Sequence, residues 1–556
     1  MRLSMFDARR FGIPATVEQV VLASSLFWLL SANRLFFANV LNGRPVGEAA
    51  TWGLMAGLGV LLAAGQAALL LSVLNRWTVK PLLTVLIVVT ALASYFMDRL
   101  GIYLDPSMVR NVLRTHPAEA RELLTVSLLP HLLLYAALPL AVLWQVRIVH
   151  RPLKQALLWR AMALVATLAI ALCALLSVFQ PLSSLMRNHK ELRYLVTPAN
   201  YLWSIGSVMA GDLRGAAQPR QPIGLDATPG PSWAQQSKPR LMVLVVGETA
   251  RAANWGLNGY ARQTTPELAR LPVINFGAVQ SCGTNTEVSL PCMFAPVGRR
   301  DYNEQRIRGS QSLLHVLARA GVDVHWRDNQ SGCKGVCDGL SSENVRSSNP
   351  PGLCSDGQCL DEALLADLDR RLDRLQAQRS GTQLLVLHML GNHGPSYFRR
   401  YPPAFERFKP ACQNDDLQRC SQQEIVNAYD NALLYTDHLL ASLVTRLQQR
   451  SQRLDAVMVY VSDHGESLGE NRLFLHGIPY AIAPDVQKQV PMVMWTSAGF
   501  DQWARLDKDC LRKRAQQGAS HDHLFHSVLG LLDVRTSLYE RTFDLTANCR
   551  PPGAPL

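Results

Sequence analysis

Signatures of nucleic-acid recognition are missing from this 556-residue chain: it has no zinc finger, no RNA-binding sheet motif and no basic helix with base-reading spacing. The formal charge of +12 is therefore read as a basic protein facing acidic lipid, and nucleic acid is excluded as a partner. No internal repeat is present, so a repeat architecture is excluded too. The first apolar segment begins late, is long, and lacks a small-x-small cleavage site followed by a soluble domain, so it is not a cleaved signal peptide. Cysteine is nearly absent from the first half, where Cys173 stands alone, while ten cysteines follow Arg240.

What the first third does contain is apolar sequence. Five segments are long enough to cross a bilayer, near Thr16–Phe37, Thr51–Leu74, Pro81–Phe96, Leu123–Trp144 and Leu158–Phe179. Arg9 and Arg10 precede the first, Arg76 and Lys80 separate the second from the third, and Arg147, Arg151, Lys154 and Arg160 separate the fourth from the fifth. The positive-inside rule makes those three places cytoplasmic, so the amino terminus is inside and everything after Phe179 is outside. The outer loop from Asp98 to Glu122 carries Asn111, Thr115 and Glu119 at i, i+4 and i+8, a spacing that lines one helical face with polar groups. That face is either a wet interfacial surface or one that meets a lipid headgroup; Pro117 interrupts the run.

Residues 216–238, rich in Pro, Gly, Gln and Ser, read as a flexible connector. Ahead of it "RYLVTPANYLWSIGSVM" is partly apolar and suited to lying along a membrane surface. After it, "LMVLVVGETAR", "GTQLLVLHMLGNHGP", "AVMVYVSDHGESLGE" and "QVPMVMWTS" read as buried strands with polar residues at their ends. Helical segments intervene at Ser310–Ala320, Asp361–Ala377 and Gln422–Gln449. The pattern predicts an α/β domain with a mostly parallel sheet sandwiched by helices. The boundaries expected are 1–180 for a five-helix transmembrane domain with an outer loop at 98–122, 181–238 for a linker, and 239–556 for a soluble catalytic domain.

The ten late cysteines include four close couples: Cys282 with Cys292, Cys333 with Cys337, Cys354 with Cys359, and Cys412 with Cys420. Cys510 and Cys549 remain, so five disulfides are available, which argues for an oxidising compartment. This agrees with the charge-based topology and places the domain in a periplasm-like space. A zinc-thiolate site in "CKGVC" is the rival reading.

Glu248 ends one predicted strand, Asp463 and His464 end another, and His393 and His476 lie in the segments "GNHGP" and "LFLHG". Carboxylates and imidazoles gathered at one sheet edge suit zinc, and can also hold manganese. "SCGTNTEVSLPC" offers Thr284, Thr286 and Ser289 between two cysteines, with no histidine of its own. A nearby metal ion would activate a hydroxyl without one, and a disulfide would restrict where that hydroxyl can go. The C/S-x-P-x-R pattern of formylglycine sulfatases is missing from "SLPC" and "CMFAPVGRR", which favours phosphoryl over sulfuryl transfer. Lys334 is suited to pairing with a phosphate, and Asn329, Gln330 and Ser331 to adding hydrogen bonds.

The segments "VVGETAR", "SCGTNTEVSLPCMF", "WRDNQSGCKGVC", "HMLGNHGPSYFRRY" and "SDHGESLGE", with "NVLRTHPAEARELL" and the five-span amino end, resemble the bacterial lipid A phosphoethanolamine transferases. That family includes the mobile colistin-resistance enzymes and lies within the alkaline-phosphatase/sulfatase-like superfamily. The resemblance spans essentially the whole chain. It implies an inner-membrane enzyme that moves phosphoethanolamine from phosphatidylethanolamine to a lipid A phosphate, releasing diacylglycerol and lowering polymyxin binding. It implies Thr286 as the nucleophile, Glu248, Thr286, Asp463 and His464 as ligands of a tightly held zinc ion, and His393 and His476 on a second zinc or the transferred group. Asn111, Thr115, Glu119, Ser331 and Lys334 would hold phosphoethanolamine, with Gln330 beside them and His388 serving in proton transfer. The chain is expected to work as a monomer. Three readings compete: a lipopolysaccharide core sugar as acceptor, glycerol-phosphate transfer of the lipoteichoic-acid-synthase kind, and a receptor whose metal is structural.

Overall fold

The computed structural model describes residues 12–216, 219–355, 357–378 and 380–551; Arg9 and Arg10 lie outside the described residues. Two compact units emerge, one of Met1–Val109 with Thr125–Ser207 and one of Arg110–Leu124 with Val208–Leu556.

Among the described residues of the first unit, four helices are long and apolar enough to cross a membrane: Ala49–Val73, Val79–Leu100, Leu128–Gln145 and Leu153–Asn188. At a rise of about 1.5 Å per residue the last is about 54 Å long, well beyond a hydrocarbon core of about 30 Å. The expected first span is instead two helices, Val17–Ser31 and Arg34–Leu41, bent by 52° and able to serve as a fifth crossing. The break has a residue-level cause. Asn33 is buried between the two helices, and its side-chain amide donates to Trp28 O and Thr197 O, each at 2.9 Å. Its Oδ1 accepts from Thr197 N at 2.9 Å, so the kink is pinned to the turn at Thr197.

The second unit is built on one eight-stranded sheet. Its strands are β1 (Arg240–Gly247), β2 (Ile274–Gln280), β3 (Asp323–Asp328), β4 (Ser341–Asn344), β5 (Thr382–His388), β6 (Asp455–Ser462), β7 (Gln489–Thr496) and β8 (Ala519–Ser520). They lie in the order β8-β2-β7-β6-β1-β5-β3-β4. Every neighbouring pair is parallel except β7 with β6 and β7 with β2. The central strands β1 and β6 are buried along their whole length, which is why their sequences are unbroken apolar runs rather than alternating ones. One sheet face, with Leu244, Val246, Val386, Val459 and Met492, joins Leu314, Phe525 and Leu529 in the main core. The carboxyl ends of β1, β2, β3, β5 and β6 therefore share one edge.

Three local expectations are corrected. Asp361–Ala377 is a 3-10 turn, Asp361–Leu365, and a helix, Leu368–Gln376, separated by Asp367 in the left-handed region. The outer-loop segment is two short helices, Pro106–Arg114 and Pro117–Glu122, so Asn111, Thr115 and Glu119 do not share one helical face. His116, held extended before Pro117, caps the second helix by accepting from Ala118 N. The connector expected to be flexible is stitched down: Trp233 Nε1 donates to Leu532 O at 2.8 Å, and Thr228–Pro229 pairs with Val534–Arg535.

Candidate active site

The Thr286–Met293 helix follows β2, and Thr286 is its first residue. Asn285 caps it, accepting from Val288 N at 3.0 Å. A disulfide from Cys282 to Cys292 ties the helix to the loop before it. Of the three candidate hydroxyls, two are spent on backbone: Thr284 donates to Ile478 O at 2.7 Å and Ser289 to Asp463 O at 2.5 Å. Thr286 Oγ1 instead donates to Glu248 Oε2 at 3.0 Å and stands 3.3 Å from His464 Nε2.

Glu248 leaves the end of β1 and Asp463 and His464 the end of β6, all fully buried. His464 Nε2 lies 3.2 Å from Glu248 Oε1 and 3.4 Å from Asp463 Oδ2. The loop after β5 comes close because Gly391 is at φ +56°, where a Cβ would stand 2.6 Å from Glu248 O. It delivers His393, whose ring centre is 5.4 Å from that of His476. His476 Nδ1 meets Glu466 Oε2 at 2.7 Å, and Glu466 accepts from Tyr397 OH at 2.7 Å; with Nδ1 so engaged, Nε2 is the nitrogen of His476 that could ligate a metal.

Two groups of potential ligand atoms result, Glu248 with Asp463 and His464, and Glu248 with His393 and His476, the atoms of each group within 4.8 Å of one another. His393 Nδ1 is buried without a hydrogen-bond partner, and Glu248 Oε1 and Asp463 Oδ2 are buried with the one His464 nitrogen shared between them. Buried lone pairs of this kind fit a divalent cation. The electrostatics agree. Burial opposes charge on Glu248, but His464 beside it holds its carboxyl below the usual range. Burial and the Glu248 charge push Asp463 up to about 6. Burial would lower His464, but Asp463 and Glu248 outweigh it and hold the imidazole up at about 10. Burial pushes His393 down to about 3, which keeps the ring neutral, the form that can ligate a metal. Two carboxylates in a dry site call for a cation; a divalent metal ion held by Glu248, Asp463 and His464 would supply that charge with the imidazole neutral.

Around this centre the expected residues are not all equally engaged. Gln330 Nε2 donates to Glu248 Oε2 at 2.9 Å. Asn329 points elsewhere, its amide donating to Cys359 O and Asp361. His388 is buried with Nδ1 2.7 Å from Asp328 Oδ1 and Nε2 unpartnered. Lys334 Nζ bonds Ser331 Oγ at 2.7 Å and pairs with Glu287 at 3.1 Å. Glu287, next to Thr286, also meets Arg114 and Arg308, each at 3.2 Å. Burial opposes its charge, but Lys334, Arg308 and Arg114 prevail and hold its carboxyl low. Glu119 is buried, its nearest cation being Arg346 at 3.9 Å, and Oε1 accepts no hydrogen bond. Thr115 donates to Asn111 O at 2.8 Å. Cys333 and Cys337 are joined to each other, which removes the zinc-thiolate reading of "CKGVC". The pairs Cys354–Cys359, Cys412–Cys420 and Cys510–Cys549 are also bonded, and Cys173 is free.

Sequence reasoning missed Glu466, Asp328, Glu287 and His521, which act on the site by holding its other members. Each is a polar residue that proves fully or almost fully buried, a property that sequence spacing does not report.

A mostly parallel sheet that gathers carboxylates, histidines and a threonine at the start of a helix at one edge defines the alkaline-phosphatase and sulfatase class. The sulfatase family model matches residues 240–534, and that of phosphoethanolamine transferase EptA/EptB matches residues 62–213. Phosphoethanolamine transferase EptA of Escherichia coli K12 is 38% identical over 94% of this chain and 97% of its own. Phosphatidylethanolamine transferase Mcr-1 of Escherichia coli is 37% identical over 86% and 90%. The integral membrane lipooligosaccharide phosphoethanolamine transferase A of Neisseria meningitidis superposes with a TM-score of 0.92 at 36% identity, covering 97% of this chain and 100% of that one. The chain belongs to the EptA/Mcr family of phosphoethanolamine transferases, multi-pass inner-membrane enzymes with a periplasmic catalytic domain.

Proposed function

We propose that the chain transfers phosphoethanolamine from phosphatidylethanolamine to a phosphate of lipid A, using zinc and a covalent adduct on Thr286. The observation that carries this reading is the place of the Thr286 hydroxyl, 3.0 Å from Glu248 and 3.3 Å from His464 at the start of a helix. Glu248, Thr286, Asp463 and His464 would hold one zinc ion, and His393 with His476 a second or the transferred group. Bound there, zinc would lower the pKa of the hydroxyl and offset charge on the phosphoryl oxygens.

The Thr286 oxygen attacks phosphorus as its P–O bond to the glycerol breaks. The departing oxygen takes up the proton that the Thr286 hydroxyl gives up and leaves as diacylglycerol. An oxygen of the lipid A phosphate then attacks the same phosphorus, and Thr286 leaves and regains its proton. The helix amino terminus faces the charge that develops. His388, oriented by Asp328, carries the proton in this scheme. Glu119, buried with Oε1 accepting no hydrogen bond, receives the ethanolamine ammonium. Asn111, Thr115, Gln330, Ser331 and Lys334 hold the rest of the group, with Lys334 turning from Glu287 toward phosphate. The working unit is a monomer.

A sugar acceptor is the second reading, since the Kdo(2)-lipid A phosphoethanolamine 7''-transferase of Escherichia coli K12 is 27% identical over 83% of the chain. Mass spectrometry of lipopolysaccharide from expressing cells separates the two. Phosphoethanolamine on the lipid A fragment is expected, lost with Thr286→Ala; its appearance only on core sugar would move the acceptor. The added ammonium masks anionic charge, so binding of cationic polymyxin falls.

A further inference from the structure

The segment Arg110–Leu124 joins two membrane helices in sequence, yet it belongs to the catalytic unit. Arg110 meets Glu304, and Arg114 meets Asp212 at 3.0 Å. Its second helix, Pro117–Glu122, carries two buried glutamates three residues apart. They differ in what they touch. Oε1 of each accepts no hydrogen bond, that of Glu119 facing Arg346 at 3.9 Å, but Glu122 Oε2 accepts from Arg400 Nη2 at 2.6 Å. Both partners of that pair are almost wholly removed from solvent, their side chains 2% and 1% exposed.

Arg400 forks in three directions. Nη2 reaches Glu122, Nη1 donates to Gln358 Oε1 at 2.8 Å, and Nε donates to His393 O at 2.7 Å. The guanidinium plane is rigid, so fixing one arm fixes the others. We propose that Glu122 is a positioning residue: through Arg400 it sets the loop carrying His393, making the connection between two membrane helices part of the transfer machinery. A buried cation needs its counter-charge; without the Glu122 carboxylate, Arg400 must turn toward another acceptor and release the His393 carbonyl. The inference rests on the proposed part of His393 in the transfer.

The test uses full-length, zinc-loaded protein in detergent micelles, with phosphatidylethanolamine as donor and diacylglycerol release as readout. Glu122→Gln is expected to lower kcat about 10-fold or more with donor KM changed less than about 3-fold. Glu119→Gln, the headgroup contact, is expected to raise KM instead. Arg400→Gln should resemble Glu122→Gln, and the double variant should be no worse than the poorer single one, because the two act as a unit. Glu122→Asp keeps the charge and should recover part of kcat, which also serves if Glu122→Gln folds poorly. Rates are taken per folded molecule, from the amplitude of the melting transition. Wild-type kcat in folded Glu122→Gln, multiplying losses in the double variant, or a loss that only follows the folded fraction would overturn the proposal. Thr286→Ala serves as the separate control: if it still forms the covalent adduct, the functional reading fails whatever Glu122 does.

Discussion

His521 is in neither group of potential metal ligands, yet it ties together the segments that supply Thr286 and Asp463. Its Nδ1 accepts from Cys282 N at 3.0 Å and lies 3.4 Å from Ser289 Oγ. Its Nε2 donates to Ser462 O at 3.0 Å. Both nitrogens are committed to one neutral tautomer, and burial pushes the pKa down to about 4. The folded value lies below the ordinary 6.5, so the unfolded chain takes up the proton first. Stability is therefore lost as pH falls below 6.5 and the loss levels off near 4, amounting to about 2 kcal/mol between pH 7 and pH 5. Denaturant unfolding of zinc-loaded protein at those two pH values should show a smaller difference for His521→Gln than for wild type, by about that amount. An unchanged difference would mean that the ring does not hold these segments in the neutral form.

At the scale of elements, the Thr286–Met293 helix is fastened at three points. Asn285 caps it, Ser289 fastens it to Asp463, and the Cys282–Cys292 disulfide closes a loop of 10 residues around it. Replacing both cysteines with serine is expected to lower stability by about 2–3 kcal/mol through the freed unfolded chain. Adduct formation on Thr286 should slow by about 10-fold as the hydroxyl wanders. Stopped-time mass spectrometry and a melting curve measure the two separately; wild-type adduct kinetics with a lowered melting point would reduce the disulfide to a structural staple. This element also shows how far the sequence can be read. Buried strands with polar residues at their ends are visible as apolar runs followed by Glu248, Asp463 and His464, because the period and the run length carry that information. Three hydroxyls between two cysteines are not separable in the same way. Their partners, Ile478 O, Glu248 and Asp463 O, come from distant parts of the sequence. Glu122 and Arg400 were invisible for the same reason, being 278 residues apart. The Asn33 kink and the tied-down connector each depend on a distant partner, Thr197 and Leu532, that composition does not disclose.

At the scale of the molecule, apolar helices hold the first unit in the membrane and the second unit carries the chemistry on its sheet edge. Both proposed substrates are lipids, and the loop between two spans contributes Glu119 and Glu122 to the catalytic unit. Everything in this account depends on Thr286 becoming covalently loaded. The direct measurement is intact and peptide mass spectrometry of full-length zinc-loaded protein incubated with phosphatidylethanolamine and no acceptor. A gain of about 123 Da is expected on Thr286, absent from Thr286→Ala and discharged when lipid A is added. An adduct on Thr284 or Ser289, or folded and zinc-loaded protein that releases diacylglycerol with no adduct at any stage, would contradict it.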